Sequence, residues 1–248
     1  MAEAEPLYSE NYERALSLAA QLHRRQVRKA DEGIEPTIPY VAHLLEVSAL
    51  VWTGGGDEDT AIAGLFHDAF EDQFDGVTEM GLREQFSPRV WEIVAHCTDG
   101  TPGQPRHGGT WLERKVPYLA RLYEADHDAL LVTAADKISN ARAILDDLAF
   151  ARSQADPGAA TEALWSRFNV DRQAIAWYYR EVLSALELPL TGNPLVSRLT
   201  DLVRMMTLEA QLENPARALR MSDEDFAVAT RELVEATARR GGSAEALD

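Results

Sequence analysis

Residues 129–145, ALLVTAADKISNARAIL, constrain the fold more than any other stretch of the chain. At about 100° per residue, Leu131, Ala134, Ile138 and Leu145 fall on one face of a helix, while Ala129, Val132, Asp136 and Asn140 fall on another. A helix that is apolar on more than one side belongs inside a core. The chain must therefore supply other elements to surround it, and the rest of the sequence supplies helices. Ser9 caps a first one with the stripe Ala15, Leu18, Ala19 and Leu22. Tyr40, Leu44, Val47 and Val51 form the stripe of a second, stopped by Gly54-Gly55-Gly56. Asp57 opens a third, with Ile62, Leu65, Phe66 and Ala69. Ser87-Pro88 reads as an N-cap with proline at the first helical position. Thr110 with Glu113 reads as a capping box. The long helix is expected over about 128–148 and another over about 171–186. No stretch alternates as a strand requires, so the fold class is all-α.

Residues 99–109 (DGTPGQPRHGG) carry too many breakers for a helix, and 153–160 (SQADPGAA) form a shorter break. Pro189 and Pro194 mark a boundary. The expected organisation is one domain over 1–188 and a helical extension over 189–248, with helices near 195–212 and 223–239, the second capped by Ser222. The 248 residues hold 24 Lys+Arg against 41 Asp+Glu, a formal net charge of −17. That field opposes binding to nucleic acid or anionic lipid. It leaves room for a small anionic substrate, because surface charge is screened beyond about 8 Å at physiological salt. A single cysteine, Cys97, permits no intrachain disulfide and points to a reducing, cytoplasmic setting. The acidic start MAEAEPLYSE does not look like a signal peptide, and no apolar run reaches the length of a membrane span.

Four places attract chemistry. On the third helix, Thr60, Gly64, His67, Asp68 and Glu71 lie opposite the apolar stripe, with Asp72 at its border. This is either a solvated polar face or a nitrogen and oxygen ligand set within one turn, given room by the small Ala61 and Gly64. On the long helix, a carboxylate at Asp136 needs a cation, a metal or a raised pKa. An ion pair with a lysine or arginine such as Arg142 would serve equally. His43 points to the apolar side of its helix, as a core histidine or as a ligand. His23 begins HRRQVRK, where Arg24, Arg25, Arg28 and Lys29 form either a solvated helix end or a phosphate-binding edge.

In order along the chain, HRRQVRK, PYVAH (Pro39 to His43), LFHDAFED, then Phe86, Val90, Val94 and Thr98-Asp99, and AADKISNAR resemble the HD-domain phosphohydrolases. More narrowly they look like the hydrolase domain of the bifunctional alarmone synthetase/hydrolases and the small alarmone hydrolases. The resemblance covers about residues 12–187. It departs at Leu44, where proline is usual, at Ser87 in place of glycine, at Ser139 in place of a frequent histidine, and in the length of 99–109. It implies an HD-domain helical bundle and a divalent metal, Mn²⁺ by family habit, held by His43, His67, Asp68 and Asp136. The two-nitrogen, two-oxygen set equally suits Fe²⁺, Co²⁺ or Zn²⁺. It further implies Glu71 and Asp72 as the acid/base pair, with Arg28, Lys29, Tyr40 and Asn140 contacting a nucleotide.

The implied reaction is removal of pyrophosphate from the ribose 3′ position of a (p)ppGpp-type nucleotide. Nothing in the chain reads as a synthetase domain. Two rivals share the pattern: an HD nucleotidase or phosphatase on another nucleotide (a 5′-monophosphate or a nicotinamide dinucleotide phosphate), and a non-catalytic nucleotide-binding module. The C-terminal helices are candidates for a homo-oligomer contact.

Overall fold

The computed structural model describes residues 6–28, 38–69, 81, 84–98 and 110–245, with side chains up to residue 240. Ser9 accepts a hydrogen bond from the amide of Asn11 and starts α1 (Glu10–Leu22). α2 (Val41–Thr53) and α3 (Glu58–Phe66) form a tight antiparallel pair. The turn between them uses Gly55 at a φ of 86°, which a residue with a Cβ adopts only under strain. A Cβ on Gly64 would meet the Ser48 backbone at 3.4 Å, so this glycine sets how closely α2 and α3 approach. Then come α4 (Pro88–Cys97), α5 (Trp111–Leu122), α6 (His127–Arg152), α7 (Pro157–Ser166) and α8 (Arg172–Glu187). The chain ends with α9 (Pro194–Ala210), α10 (Pro215–Ala218), α11 (Asp223–Ala229) and α12 (Arg231–Glu245). Among the described residues there is no strand, only an isolated antiparallel bridge between Val27 and Pro39.

α6 is the axis, as its two apolar faces require. Asp126 caps it through the amide of Ala129, and Ala129 to Asp136, Ile138, Ser139 and Ala141 are all buried. α2, α3 and α4 cover it on one side and α7, α8 and α9 on the other. Arg89, on α4, ties two of these helices at their origins. Its guanidinium bonds Asp57, the N-cap of α3, at 2.6 Å, and Asp128 in the first turn of α6. Residues after 189 join the same core: Leu195, Leu199, Val203 and Met206 of α9 and Leu233 and Ala236 of α12 are buried in it. No described helix is long and apolar enough to cross a membrane.

Several expectations need correction. α3 stops at Phe66, and residues 67–69 form a turn. The His67 ring Nδ1 bonds the Gly64 carbonyl at 2.8 Å, taking the acceptor that the next helical amide would use. Nor is there a solvated polar face on α3, because Thr60 and Gly64 are buried. The segment 153–160 is only partly a break: Asp156 caps α7 and Pro157 begins it. The helix expected over 223–239 divides at Thr230, a β-branched residue whose hydroxyl bonds back to the Phe226 carbonyl. Residues 99–109 lie outside the described residues. Of the expected caps, the Thr110–Glu113 box forms in full, whereas the Ser87 hydroxyl turns to Asp59 at 2.7 Å instead of capping α4.

Arg240 shows how the C-terminal helices are held. Its guanidinium donates to the carbonyls of Leu122, Tyr123 and Ala185 at 2.8, 2.8 and 2.7 Å, at the ends of α5 and α8. Arg240→Ala strips three carbonyls of a charged donor and should cost about 2–4 kcal/mol. A lowered denaturant midpoint at unchanged m-value checks this.

Candidate metal centre and active site

The α2–α3 pair places His43 in the first turn of α2 and His67 at the C-terminal end of α3, so their rings meet edge to face. Both are buried, at 1% and 2% exposure, and their Nε2 atoms stand 3.3 Å apart. Asp68 Oδ2 lies 3.1 Å from His67 Nε2 and 3.9 Å from His43 Nε2. α6 brings Asp136 Oδ1 to 3.3 Å from His43 Nε2 and 3.5 Å from His67 Nε2. His43 from α2 and His67 and Asp68 from the turn that ends α3 thus each present one atom to a shared space, and Asp136 from α6 adjoins both imidazoles. Atoms that share a cation at about 2.1 Å sit about 3.0–3.4 Å from one another, close to these spacings.

The hydrogen bonds fix what each ring offers. His67 Nδ1 faces a carbonyl, so it carries a proton and leaves Nε2 towards the cluster. His43 Nδ1 faces the Ser139 hydroxyl at 2.9 Å, and its Nε2 also faces the cluster. One proton on His67 Nε2 cannot serve His43 and two carboxylates at once. A divalent cation can, so the donor set fits a metal.

Electrostatics support that fit. Burial works against a charged His67, but Asp68 and Asp136 overcome it and hold its pKa well above the usual imidazole value. Burial likewise opposes the charge on Asp68, yet the neighbouring His67 keeps it far below the usual carboxylate range. Asp136 is also held low, against burial, by Lys137 and the two histidines. Lys137 Nζ pairs with Asp136 Oδ2 at 2.6 Å and lies 5.6 Å from the ring centres of both Tyr118 and Tyr178. The ion pair anticipated for Asp136 thus exists, with Lys137 and not Arg142, and it uses the oxygen turned away from the histidines. Arg142 binds Glu46 at 2.8 Å. Cys97 is no rival nucleophile: burial pushes its thiol up to about 12.

The remaining expected residues divide. Tyr40 donates to Asp68 Oδ2, while its ring stacks on His23 at 5.1 Å. The Val27–Pro39 bridge aligns Tyr40 with Arg28 through paired bonds, Arg28 amide to Ile38 carbonyl and Tyr40 amide to Gln26 carbonyl. Arg28 reaches the cluster, donating to Asn140 Oδ1 at 2.8 Å, and Asn140 donates to Asp136 Oδ1. Lys29, Glu71 and Asp72 lie outside the described residues. Sequence reasoning missed Glu46, Lys137 and Ser139. Glu46 and Ser139 each stand three places after a site residue, on its helical face, and that spacing was the available signal.

The pattern of the HD domain family matches residues 15–175, a span holding all four converging side chains. The chain belongs to the HD domain family. As an HD domain it is 34% identical over 93 residues to a guanosine-3′,5′-bis(diphosphate) 3′-pyrophosphohydrolase of Aquifex aeolicus. It is 30% identical over 135 residues to a probable enzyme of that name from Synechocystis, and 30% identical over 132 residues to a GTP pyrophosphokinase of Streptomyces coelicolor. These alignments cover 38%, 53% and 52% of this chain but only 12%, 16% and 14% of those relatives. Among solved structures, a metazoan ortholog of SpoT that hydrolyses ppGpp superposes with a TM-score of 0.57 at 24% identity, over 82% of this chain and 99% of that one. A Listeria monocytogenes protein superposes at 0.54 and 24% identity, over 68% and 95%. These likenesses establish a shared HD fold.

The raised pKa of His67 gives a signed prediction. In the metal-free protein His67 stays protonated above the pH at which a free imidazole loses its proton, and a cation must displace that proton. Metal affinity should therefore rise with pH, by up to about tenfold per unit below the His67 pKa. Titration of the stripped protein with Mn²⁺ at several pH values checks it. Calorimetry in buffers of different protonation enthalpy should show proton release.

Proposed function

We propose that this chain is a metal-dependent 3′-pyrophosphohydrolase of (p)ppGpp-type nucleotides, with Mn²⁺ as its working cation. The observation that carries the reading is the cluster of His43, His67 and Asp68, with Asp136 Oδ1 against both imidazoles, in an HD domain whose curated relatives include enzymes named for that reaction. A divalent cation bound there supplies Lewis-acid chemistry, acidifying water and offsetting phosphoryl charge.

The protein's own groups do the rest. Tyr40 orients Asp68, and Lys137 and Asn140 orient Asp136, so the oxygens facing the two imidazoles are set before substrate arrives. Arg28, joined by Lys29, meets the anionic phosphates at the rim. Its guanidinium already touches Asn140, so a bound phosphate would compete for donors that also brace Asp136. Tyr40 lines the pocket and Asn140 contacts the ribose. Glu71 and Asp72 form the acid/base pair: one takes the proton from the attacking water, and the other returns one to the departing ribose 3′ oxygen. Water adds across the phosphorus–oxygen bond, giving pyrophosphate and GDP or GTP. Residues 1–188 hold this activity, 189–248 form an extension that can mediate self-association, and the protein works in the cytoplasm.

A nucleotide panel with the purified, Mn²⁺-loaded protein tests the reading. Pyrophosphate release from a guanosine 3′-diphosphate supports it. Release of orthophosphate alone, or no turnover on any nucleotide, overturns it in favour of the phosphatase or the binding module. Replacing Glu71→Gln and Asp72→Asn together should lower kcat by about 10²–10⁴ at unchanged metal content.

A further inference from the structure

We infer that Ser139 and Glu46 are positioning residues that fix His43 in the one tautomer able to accept a cation, through a hydrogen-bond relay whose direction is set by its carboxylate end. The inference deepens the metal-dependent reading above and rests on it.

The relay is read from its outer end inwards. Glu46 Oε1 is held by Arg142 at 2.8 Å, and Glu46 Oε2 lies 2.7 Å from Ser139 Oγ. A carboxylate only accepts, so the single hydroxyl proton of Ser139 points to Glu46. The two lone pairs of Ser139 are left to accept. One faces His43 Nδ1 at 2.9 Å and the other faces Arg28 Nη1 at 3.4 Å. Every hydrogen-bonding capacity of the serine is thereby used. His43 Nδ1 must carry the proton, and Nε2 must present a lone pair to His67, Asp68 and Asp136.

The placement is consistent at each step. His43 and Glu46 are one turn apart on α2, and Ser139 and Arg142 are one turn apart on α6, so the two helices meet in two adjacent rungs. Ser139 is 1% exposed, whereas the Glu46 side chain is 32% exposed. The relay therefore runs from the dry centre to the rim, where Glu46 pairs with Arg142. A carboxylate acting through a hydroxyl on the far nitrogen makes Nε2 a better electron donor, as partners behind metal-binding histidines do. Ser139 also links the two halves of the site, since it bonds both a cation-facing imidazole and the arginine assigned to the substrate phosphates.

The test uses the full chain stripped of metal. Mn²⁺ affinity is measured by titration for the natural protein and for Ser139→Ala, Ser139→Thr and Glu46→Gln, and the His43 tautomer is read from imidazole ¹⁵N shifts without metal. Ser139→Ala should weaken Mn²⁺ binding about 10–100-fold and mix the two His43 tautomers. Ser139→Thr, which keeps the hydroxyl, should restore affinity to within a few-fold, and Glu46→Gln should fall between. Should Ser139→Ala fail to fold, the Glu46→Gln variant carries the test at the rim. Unchanged affinity in Ser139→Ala and Glu46→Gln, or a natural His43 protonated on Nε2 alone, overturns the relay. Failure of the natural protein to bind any divalent cation would instead sink the metal reading itself, while the ¹⁵N spectrum still reports the relay.

Discussion

Two imidazole nitrogens 3.3 Å apart, both out of water, set the terms for everything around them. Side by side in a core they are tolerable only if their outer nitrogens are bonded and their inner ones share a positive charge. The chain meets the first condition locally, with the Gly64 carbonyl behind His67 and the Ser139 hydroxyl behind His43. Two carboxylates on the other side, Asp68 and Asp136, stabilise the positive charge that the second condition demands. Those carboxylates bring their own need for countercharge, met for Asp136 by Lys137 and approached from the rim by Arg28 through Asn140.

Much of this was legible in the sequence, for identifiable reasons. The doubly apolar stretch at 129–145 demanded burial, and the structure makes it the axis. Capping chemistry is local, so Ser9, Asp57, Thr110 with Glu113, and Ser222 all start helices where the residue types place them. His43, His67, Asp68 and Asp136 drew attention as polar groups at apolar or crowded positions, and became one ligand set only through the resemblance to the HD-domain phosphohydrolases. What lay beyond reach was the choice among partners. Arg142 and Lys137 are both basic and both near Asp136, and only the packing of α2 against α6 sends one to Glu46 and the other to Asp136. Ser139 read as a departure from a family pattern. Its role appears only when α2 supplies both a histidine and a glutamate opposite it.

Helix ends were harder than helix existence. α3 stops early because a side chain competes for a backbone acceptor, an event decided by ring orientation. α7 was hidden because Pro157 and Gly158 look like breakers until Asp156 is seen as a cap. The C-terminal helices read as amphipathic stripes without a target. In the structure α9 lies along α6 and α8, so the axis helix gets part of its cover from outside the stretch that carries the family pattern.

The knot at Arg89 has a consequence for how such a chain can change over time. It pins the start of α3 and the start of α6 to one guanidinium. From the capping aspartate of each helix, the residue that faces the histidine–aspartate cluster is ten residues on, His67 after Asp57 and Asp136 after Asp126, or about 15 Å of helical rise. Inserting a single residue in either interval would swing its side chain by about 100° and lift it out of register. Those two intervals are in effect a matched pair of rulers, and insertions and deletions are barred from them. Drift in chain length is left to the connectors, where a lineage can reshape what it recognises without recalibrating where it reacts.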